Sequence, residues 1–67
     1  MKIEFFIKDV RKSKKITLKQ LAIKSGVSKT QINDIEKGNK IPTIFTLESI
    51  ATGLETSINN LYKFYKN

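Results

Sequence analysis

The stretch TLKQLAIKSGVSKTQINDIEKG, residues 17–38, contains two short helical patterns with a glycine between them. In its first half, Thr17 and Gln20 have the spacing of a capping box, in which each side chain bonds the backbone N–H of the other residue. Leucine and alanine recur there at helical spacing, and Gly26 permits the left-handed conformation that ends many helices. The pattern predicts a helix over residues 18–25.

The second half of the stretch predicts a helix over residues 29–37, with Ser28 as its cap. Ile32 and Ile35 recur on one side of this helix and are expected to be buried. The opposite side consists of hydroxyls, amides and charges, which packing does not require. A short helix with a varied polar side favours recognition of another molecule.

The rest of the chain also follows helical periodicity. Ile3, Phe6, Ile7 and Val10 have the spacing i, i+3, i+4, i+7, and Pro42 breaks the chain before a later apolar stripe. No useful length of sequence alternates between apolar and polar residues. The predicted helices cover residues 3–14, 18–25, 29–37, 44–53 and 58–65. The predicted fold class is all-α, a compact bundle of five short helices in one domain.

The charge of the chain is concentrated in its first part. The 67 residues carry 13 basic and 6 acidic side chains, for a formal net charge of +7. Residues 1–40 hold eleven basic and four acidic side chains, whereas residues 41–67 hold two of each. Such an uneven distribution is typical of proteins that bind nucleic acid. Solvated lysines on exposed faces explain the charge equally well, so charge alone leaves the partner open.

The composition argues against an enzyme or a metal protein. The chain has no cysteine and no histidine, which removes disulfides, the usual metal ligands and the commonest general base. Asp34 and Glu36 are two residues apart on a helix and do not face each other. The longest apolar run has three residues, whereas a membrane-spanning helix needs about 20. We therefore expect a cytoplasmic protein without a cofactor, a metal or a membrane contact.

The run from Ile16 to Leu54 resembles the phage-repressor type of helix-turn-helix regulator, a family that includes Cro-like and XRE-like proteins. The resemblance covers about residues 6–62. It rests on positions that match the family's spacing: Ala22, Gly26, Val27, Ile32, Ile35, Glu36-Lys37-Gly38, Pro42 and Thr46-Leu47. It implies a lambda-repressor-like bundle in which the helices 18–25 and 29–37 form the helix-turn-helix, and the second of these enters the DNA major groove. The implied function is sequence-specific regulation of transcription, with repression as the expected outcome.

The candidates for DNA base readout lie in the first turns of the helix 29–37. They are Lys29, Thr30, Gln31 and Asn33. Lysine donates to guanine, asparagine and glutamine amides pair with adenine, and the threonine methyl group suits thymine. The resemblance implies the same role. Solvent-exposed positions without a ligand are the alternative, although threonine and asparagine are indifferent helix formers. For Gln31, a capping box with Ser28 competes for the amide.

Contacts to the DNA backbone are predicted on either side of that helix. Free N–H groups at the start of a helix attract phosphate, and the resemblance adds the loop that follows residue 37. The predicted residues are Thr17, Lys19, Gln20, Ser28, Lys37, Asn39, Lys40 and Thr43. Many relatives have glutamine directly after the cap where this chain has Leu18, so a contact there is lost or shifted. Each lysine is also compatible with a solvated charge.

Arg11 is the only arginine among the 13 basic residues. The resemblance implies that it forms a structural bridge with Glu36, at the end of the recognition helix. A guanidinium group matches a carboxylate with two parallel hydrogen bonds in a way that lysine does not. An exposed, unpaired Arg11 is the alternative.

One small module makes few base contacts, so we expect a homodimer on a palindromic operator in double-stranded DNA. The candidate dimer surface is the aromatic C-terminal segment, through Leu61, Tyr62, Phe64 and Tyr65. Closure of the core by Tyr62 and Phe64 is the alternative. Two functions compete with this interpretation: an antitoxin-like or other protein-interaction module with secondary DNA binding, and a promiscuous nucleic-acid binder. A regulatory protein partner is compatible with each of them.

Overall fold

The computed structural model describes residues 2–66, which form four α-helices, one 3-10 helix and one small antiparallel sheet. The helices are α1 (Ile7–Ser13), α2 (Leu18–Ser25), α3 (Lys29–Glu36) and α4 (Ile44–Gly53), and the 3-10 helix is Ile58–Asn60. The strands are β1 (Lys2–Phe5) and β2 (Tyr62–Tyr65). None of the helices in residues 2–66 has the length and apolar character needed to cross a bilayer.

Side-chain caps begin three of the helices. Thr17, Ser28 and Thr43 each accept a hydrogen bond from the backbone N–H three residues later, at the start of α2, α3 and α4. The bounds expected for α2 and α4 agree with the structure, and α3 ends one residue earlier than expected. These helices are set by local signals, namely a cap and an apolar stripe.

The core lies where α2, α3 and α4 meet. Its buried side chains are Ile7, Leu21, Ile32, Ile35, Leu47, Ile50, Ala51, Leu54 and Leu61. At the end of this contact, α4 approaches α2 closely: a Cβ atom added to Gly53 would lie 2.9 Å from the Cβ of Ser25. Burial of these aliphatic side chains is the main force that holds the helices together.

The two ends of the described chain form a sheet, so the fold is mostly helical as predicted, but the all-α class and the count of five helices are not exact. Ile3 lies opposite Phe64 and Phe5 lies opposite Tyr62 in the antiparallel register. The backbone N–H of Phe6 then donates to the carbonyl of Leu61 at 2.8 Å, immediately before α1 begins. The predicted helix 3–14 is thus a strand followed by a shorter helix. Its first part takes its hydrogen bonds from β2, which no local pattern reveals.

The predicted helix 58–65 is wrong as well, because a single turn of 3-10 helix leads directly into β2. The four residues of the predicted dimer surface differ in exposure. Leu61 has no exposed surface and belongs to the core, so it is not available to a partner. The hydroxyl of Tyr65 donates to the Glu4 carboxylate at 2.8 Å across the sheet, and this bond raises the pKa of Tyr65 above its ordinary value.

Candidate nucleic-acid interface

The turn between α2 and α3 is short and tightly held. Gly26 has φ of 76°, the left-handed conformation that an L side chain rarely adopts. The hydroxyl of Ser25 accepts a hydrogen bond from the backbone N–H of Val27 at 3.1 Å, and Val27 packs against the core. The turn therefore sets the angle between α2 and α3 in a helix-turn-helix.

Helix α3 is attached to the core by one side only. Ile32 and Ile35 are 0% and 2% exposed. At about 100° of rotation per residue, the opposite side of the helix carries residues spaced i, i+3, i+4 and i+7 from Thr30. We call this set the polar stripe; it consists of Thr30, Asn33, Asp34 and Lys37. Because burial of the two isoleucines prevents rotation of α3, the polar stripe remains directed outward.

The four predicted base-reading residues lie on or beside the polar stripe. Lys29 and Thr30 are exposed, whereas Gln31 and Asn33 are half-buried. Ser28 accepts a hydrogen bond from the backbone N–H of Gln31 at 3.1 Å. Unlike the capping box of α2, this cap is one-sided: within residues 2–66 the Gln31 amide makes no hydrogen bond back to Ser28. The helix cap therefore does not hold the Gln31 amide.

Sequence reasoning assigned no role to Asp34, which is the acidic member of the polar stripe. It lies four residues after Thr30 and is half-buried. Its backbone carbonyl accepts a hydrogen bond from the N–H of Asn39 at 2.9 Å, which ties the following loop to α3. The i, i+4 spacing from Thr30 is the sequence signal that places it on this face.

The amino end of α2 has a complete capping box. The Thr17 hydroxyl accepts from the N–H of Gln20 at 3.1 Å, and the Gln20 side-chain oxygen accepts from the N–H of Thr17 at 2.9 Å. This arrangement directs the Gln20 NH₂ group away from the backbone. The N–H groups of Leu18 and Lys19 have no partner within the described part of the chain, as expected for the first turn of a helix. Both are suited to an anion at the positive end of the helix dipole.

The remaining predicted phosphate contacts lie in the loop that follows α3 and at the cap of α4. Gly38 has φ of 80° and reverses the chain after α3. Lys37, Asn39, Lys40 and Thr43 are all exposed. The Thr43 hydroxyl already makes two hydrogen bonds within the chain. It accepts from the Thr46 N–H and donates to the Thr46 hydroxyl, both at 3.1 Å.

Arg11 and Glu36 form a two-point ion pair below this surface. Arg11 Nε donates to Glu36 Oε2 at 2.8 Å, and Nη2 donates to Oε1 at 3.1 Å. The third donor, Nη1, bonds the carbonyl of Ile16 at 2.9 Å. The two side chains are only 10% and 4% exposed, so both charges are withdrawn from solvent. The structure thus brings the two residues together and joins α1, the segment that precedes α2 and the end of α3.

Residues 2–66 contain no cluster of acidic side chains that could hold a metal ion. The groups that surround α3 are hydroxyls, amides, free helix N–H groups and lysines. Their chemistry suits hydrogen bonds to base edges and ion pairs with phosphates.

Comparison with known proteins identifies the family. The sequence pattern that defines the helix-turn-helix family HTH_3 matches residues 7–61. The chain belongs to the helix-turn-helix family. The match begins at the first residue of α1 and includes all four α-helices and Leu61 of the core.

Two proteins from Bacillus phage phi105 are similar in sequence. The chain is 38% identical over 53 residues to the immunity repressor protein, covering 79% of this chain and 37% of the repressor. It is 37% identical over 60 residues to the ImmF control region 10 kDa protein, covering 90% of this chain and 67% of that protein. The chain therefore spans little more than a third of the length of the immunity repressor.

A solved helix-turn-helix protein has a similar structure. The restriction-modification controller protein C.Esp1396I superposes with a TM-score of 0.73 at 43% sequence identity, over 76% of this chain and 65% of the controller.

Proposed function

We propose that this protein is a sequence-specific regulator of transcription that binds double-stranded DNA through the major groove, with α3 as the reading element. The observation that carries the proposal is the attachment of α3. Ile32 and Ile35 bury one side of the helix, and the polar stripe lies on the other side, where Thr30 and Lys37 are exposed and Asn33 and Asp34 are half-buried. The DNA major groove is about 12 Å wide and admits an α-helix.

The side chains on and beside the polar stripe have the donors and acceptors that base edges require. The Asn33 amide suits bidentate pairing with adenine, and the Thr30 methyl group suits thymine. Lys29 is a donor to guanine, and Gln31, whose amide is not held by the helix cap, is a second candidate for adenine. Asp34 adds an acceptor for the amino group of cytosine. This variety supports sequence readout over binding by charge alone.

Phosphate contacts would position α3 in the groove. The capped end of α2 presents the N–H groups of Leu18 and Lys19, together with the Gln20 NH₂ group. On the other side of α3, Lys40 and Asn39 lie in the loop that Gly38 directs. Contacts of this kind fix the position of a protein on the duplex and supply affinity without selecting a sequence.

We further propose that two copies bind a palindromic operator and that the effect is repression. Two-fold related recognition helices about 34 Å apart read two half-sites of such an operator. One module of this size makes too few base contacts to distinguish its site from the many non-specific sites in a genome. Repression is the action named for the phage relative, the immunity repressor protein.

The test starts with selection of bound duplexes from a random DNA pool. Binding of the selected duplex and of a random duplex is then measured for the wild type, Asn33→Ala and the matched control Asn59→Ala. Asn59 has the same side chain, is exposed and lies in the 3-10 helix, outside α3. Asn33→Ala should cost about 1–3 kcal/mol on the selected duplex and little on random DNA. Asn59→Ala should change neither affinity.

Each competing function predicts a different result. A promiscuous binder gives no enriched sequence and nearly equal affinities for both duplexes. An antitoxin-like module gives weak readout that Asn33→Ala does not alter, because its main partner is a protein. Either result would contradict the proposal.

A further inference from the structure

The small sheet has an apolar face that the core covers only at one end. Ile3, Phe5, Tyr62 and Phe64 share this face, since paired residues and alternate residues of a strand project to the same side. At one end of the sheet, Phe5 and Tyr62 are half-buried against the core. At the other end, Ile3 and Phe64 are 40% and 59% exposed. The apolar face thus extends beyond the core of its own chain.

A groove continues this face towards α4. It has a volume of about 220 Å³ and lies between the sheet and the segment that enters α4, with Ile41, Pro42 and Ile44 on the α4 side. Ile41 and Ile44 are 75% and 70% exposed. Leu47 also lines the groove and is itself part of the core. The sheet face and the α4 side of the groove therefore form one continuous apolar surface.

We propose that a second copy of this chain covers this surface, which we call the sheet–α4 surface. The inference rests on the proposed function in one respect, that a palindromic operator engages two copies. Phe64, Ile41 and Ile44 are 59%, 75% and 70% exposed, and Ile3 is 40% exposed. Since an aromatic side chain offers about 150–250 Å², these four residues leave on the order of several hundred Å² of apolar area. The largest apolar patch on a monomer is about 300–600 Å², and a standard interface takes about 800 Å² from each partner. The surface therefore matches the apolar centre of a small dimer interface.

The charge distribution favours a second copy over a charged partner. In a two-fold interface each patch meets the same patch of the other copy, so a charged surface repels itself. The side chains that line the groove are aliphatic or aromatic. Residues 41–67 contain two basic and two acidic side chains, whereas the whole excess of positive charge lies in residues 1–40. An acidic or basic partner would find no complementary charge in this groove, and a second copy needs none.

Self-association through this surface also leaves the polar stripe free. None of the residues in the sheet or lining the groove is a predicted base or phosphate contact, although the predicted phosphate contact Thr43 is adjacent in sequence to Pro42 and Ile44. Lys2, Glu4, Lys63 and Tyr65 lie on the other face of the sheet, where the Tyr65–Glu4 hydrogen bond joins the strands. A dimer formed in this way keeps α3 open for DNA.

The experiment measures sedimentation equilibrium without DNA, over a wide range of protein concentrations, for three proteins. They are the wild type, Ile44→Lys and the matched control Ile23→Lys. Ile23 lies on α2, outside the sheet–α4 surface, and at 74% its exposure is close to that of Ile44. The two variants therefore add the same charge and remove the same exposed side chain. Circular dichroism and thermal melting establish that both are folded.

We expect the wild type to dimerise and Ile44→Lys to raise the dimer dissociation constant at least about tenfold. The control Ile23→Lys should dimerise like the wild type. Phe64→Ser, which adds no charge, should also weaken the dimer if the sheet belongs to the interface. A wild type that stays monomeric, both free and on the selected duplex, would overturn the inference. So would equal weakening by Ile44→Lys and Ile23→Lys.

Binding to an isolated half-site separates this inference from the proposed function. A monomeric protein that still prefers the half-site to random DNA, and loses the preference in Asn33→Ala, defeats the dimer surface and leaves base readout intact. A dimer that Ile44→Lys dissociates, but that shows no preference among DNA sequences, supports the surface and defeats base readout.

Discussion

Single residues join elements that are separate in the sequence. The guanidinium group of Arg11 reaches the Glu36 carboxylate and the Ile16 carbonyl, so one side chain connects α1, the segment that precedes α2 and the end of α3. Lysine lacks the planar fork needed for this geometry. The position of α3 relative to α1 therefore depends on one arginine in a chain whose other cations are lysines.

Replacing Arg11 with alanine should lower the free energy of unfolding by about 3–5 kcal/mol, since it leaves the Glu36 carboxylate buried without a partner. Because the Arg11–Glu36 pair holds the end of α3, its loss should also weaken DNA binding. Thermal or urea unfolding measures the first effect. The control is Lys24→Ala, which removes the ion pair between Lys24 and Glu55, 3.8 Å long with side chains 48% and 78% exposed. That change should cost less than about 1 kcal/mol, and similar losses from both variants would show that the buried pair is unimportant.

Glu55 has φ of 54°, a left-handed conformation that costs an L residue roughly 1–2 kcal/mol. Glu55→Gly should therefore raise the free energy of unfolding by about 0.5–1 kcal/mol, after the greater chain entropy of glycine is deducted. The expected rise in melting temperature is about 2–8 °C for a domain of this size. Glu55→Ala is the control, because it also removes the carboxylate but keeps the Cβ atom. Stabilisation by alanine as large as that by glycine would assign the effect to the carboxylate.

At the scale of elements, the position of α3 depends on how closely the other helices pack. Helix α2 lies between α3 and α4, and its last residue, Ser25, meets α4 at Gly53. From the sequence alone, Gly53 is expected to destabilise the end of α4, because glycine has a low helix propensity. In the structure it is the position where the two backbones come closest.

Gly53→Ala tests this close approach. A Cβ atom there would lie 2.9 Å from Ser25 Cβ and 3.0 Å from Ser25 N, so the backbones must move apart. We expect a loss of about 1–3 kcal/mol in the free energy of unfolding. Helix propensity alone predicts the opposite sign, a gain of about 1 kcal/mol. Thr52→Ala, at the exposed neighbouring position, is the control and should have little effect; a gain from Gly53→Ala would refute the close contact.

At the scale of the whole molecule, the excess positive charge and the exposed apolar groove lie in different parts of the chain. The excess of seven positive charges lies in residues 1–40, which include α1, α2 and α3. The uncharged groove lies between the chain ends and the start of α4. Electrostatic attraction to a polyanion and self-association through an apolar surface therefore need not compete for the same residues.

Lys40→Ala should weaken binding to the selected duplex and to random DNA by the same factor. If Lys40 contacts a phosphate, the slope of log affinity against log salt should fall by about 0.9, the value for release of one counterion. Lys63→Ala, in the part of the chain with balanced charge, is the control and should leave the slope unchanged. The measurement is a salt titration of both duplexes, and a loss confined to the selected duplex would indicate base readout by Lys40.

Local sequence signals determined most of the helical part of this protein. Caps at Thr17, Ser28 and Thr43 and the apolar stripes behind them set the bounds of α2, α3 and α4 to within one residue. These signals succeed because cap, stripe and final glycine all lie within about three turns of one another. The residues proposed to contact DNA follow from the same patterns and from the family resemblance, and their roles remain predictions.

Only the tertiary structure decided what the two ends of the chain do. The apolar residues at positions 3, 6, 7 and 10 fit a helix, yet β1 forms because β2, about sixty residues later, supplies its hydrogen bonds. The same folding buries Leu61 and leaves Ile44 exposed, although both belong to apolar helical patterns in the sequence. Burial and strand pairing depend on contacts between distant parts of the chain. Such contacts are absent from any short window of sequence, so the sheet–α4 surface became visible only in three dimensions.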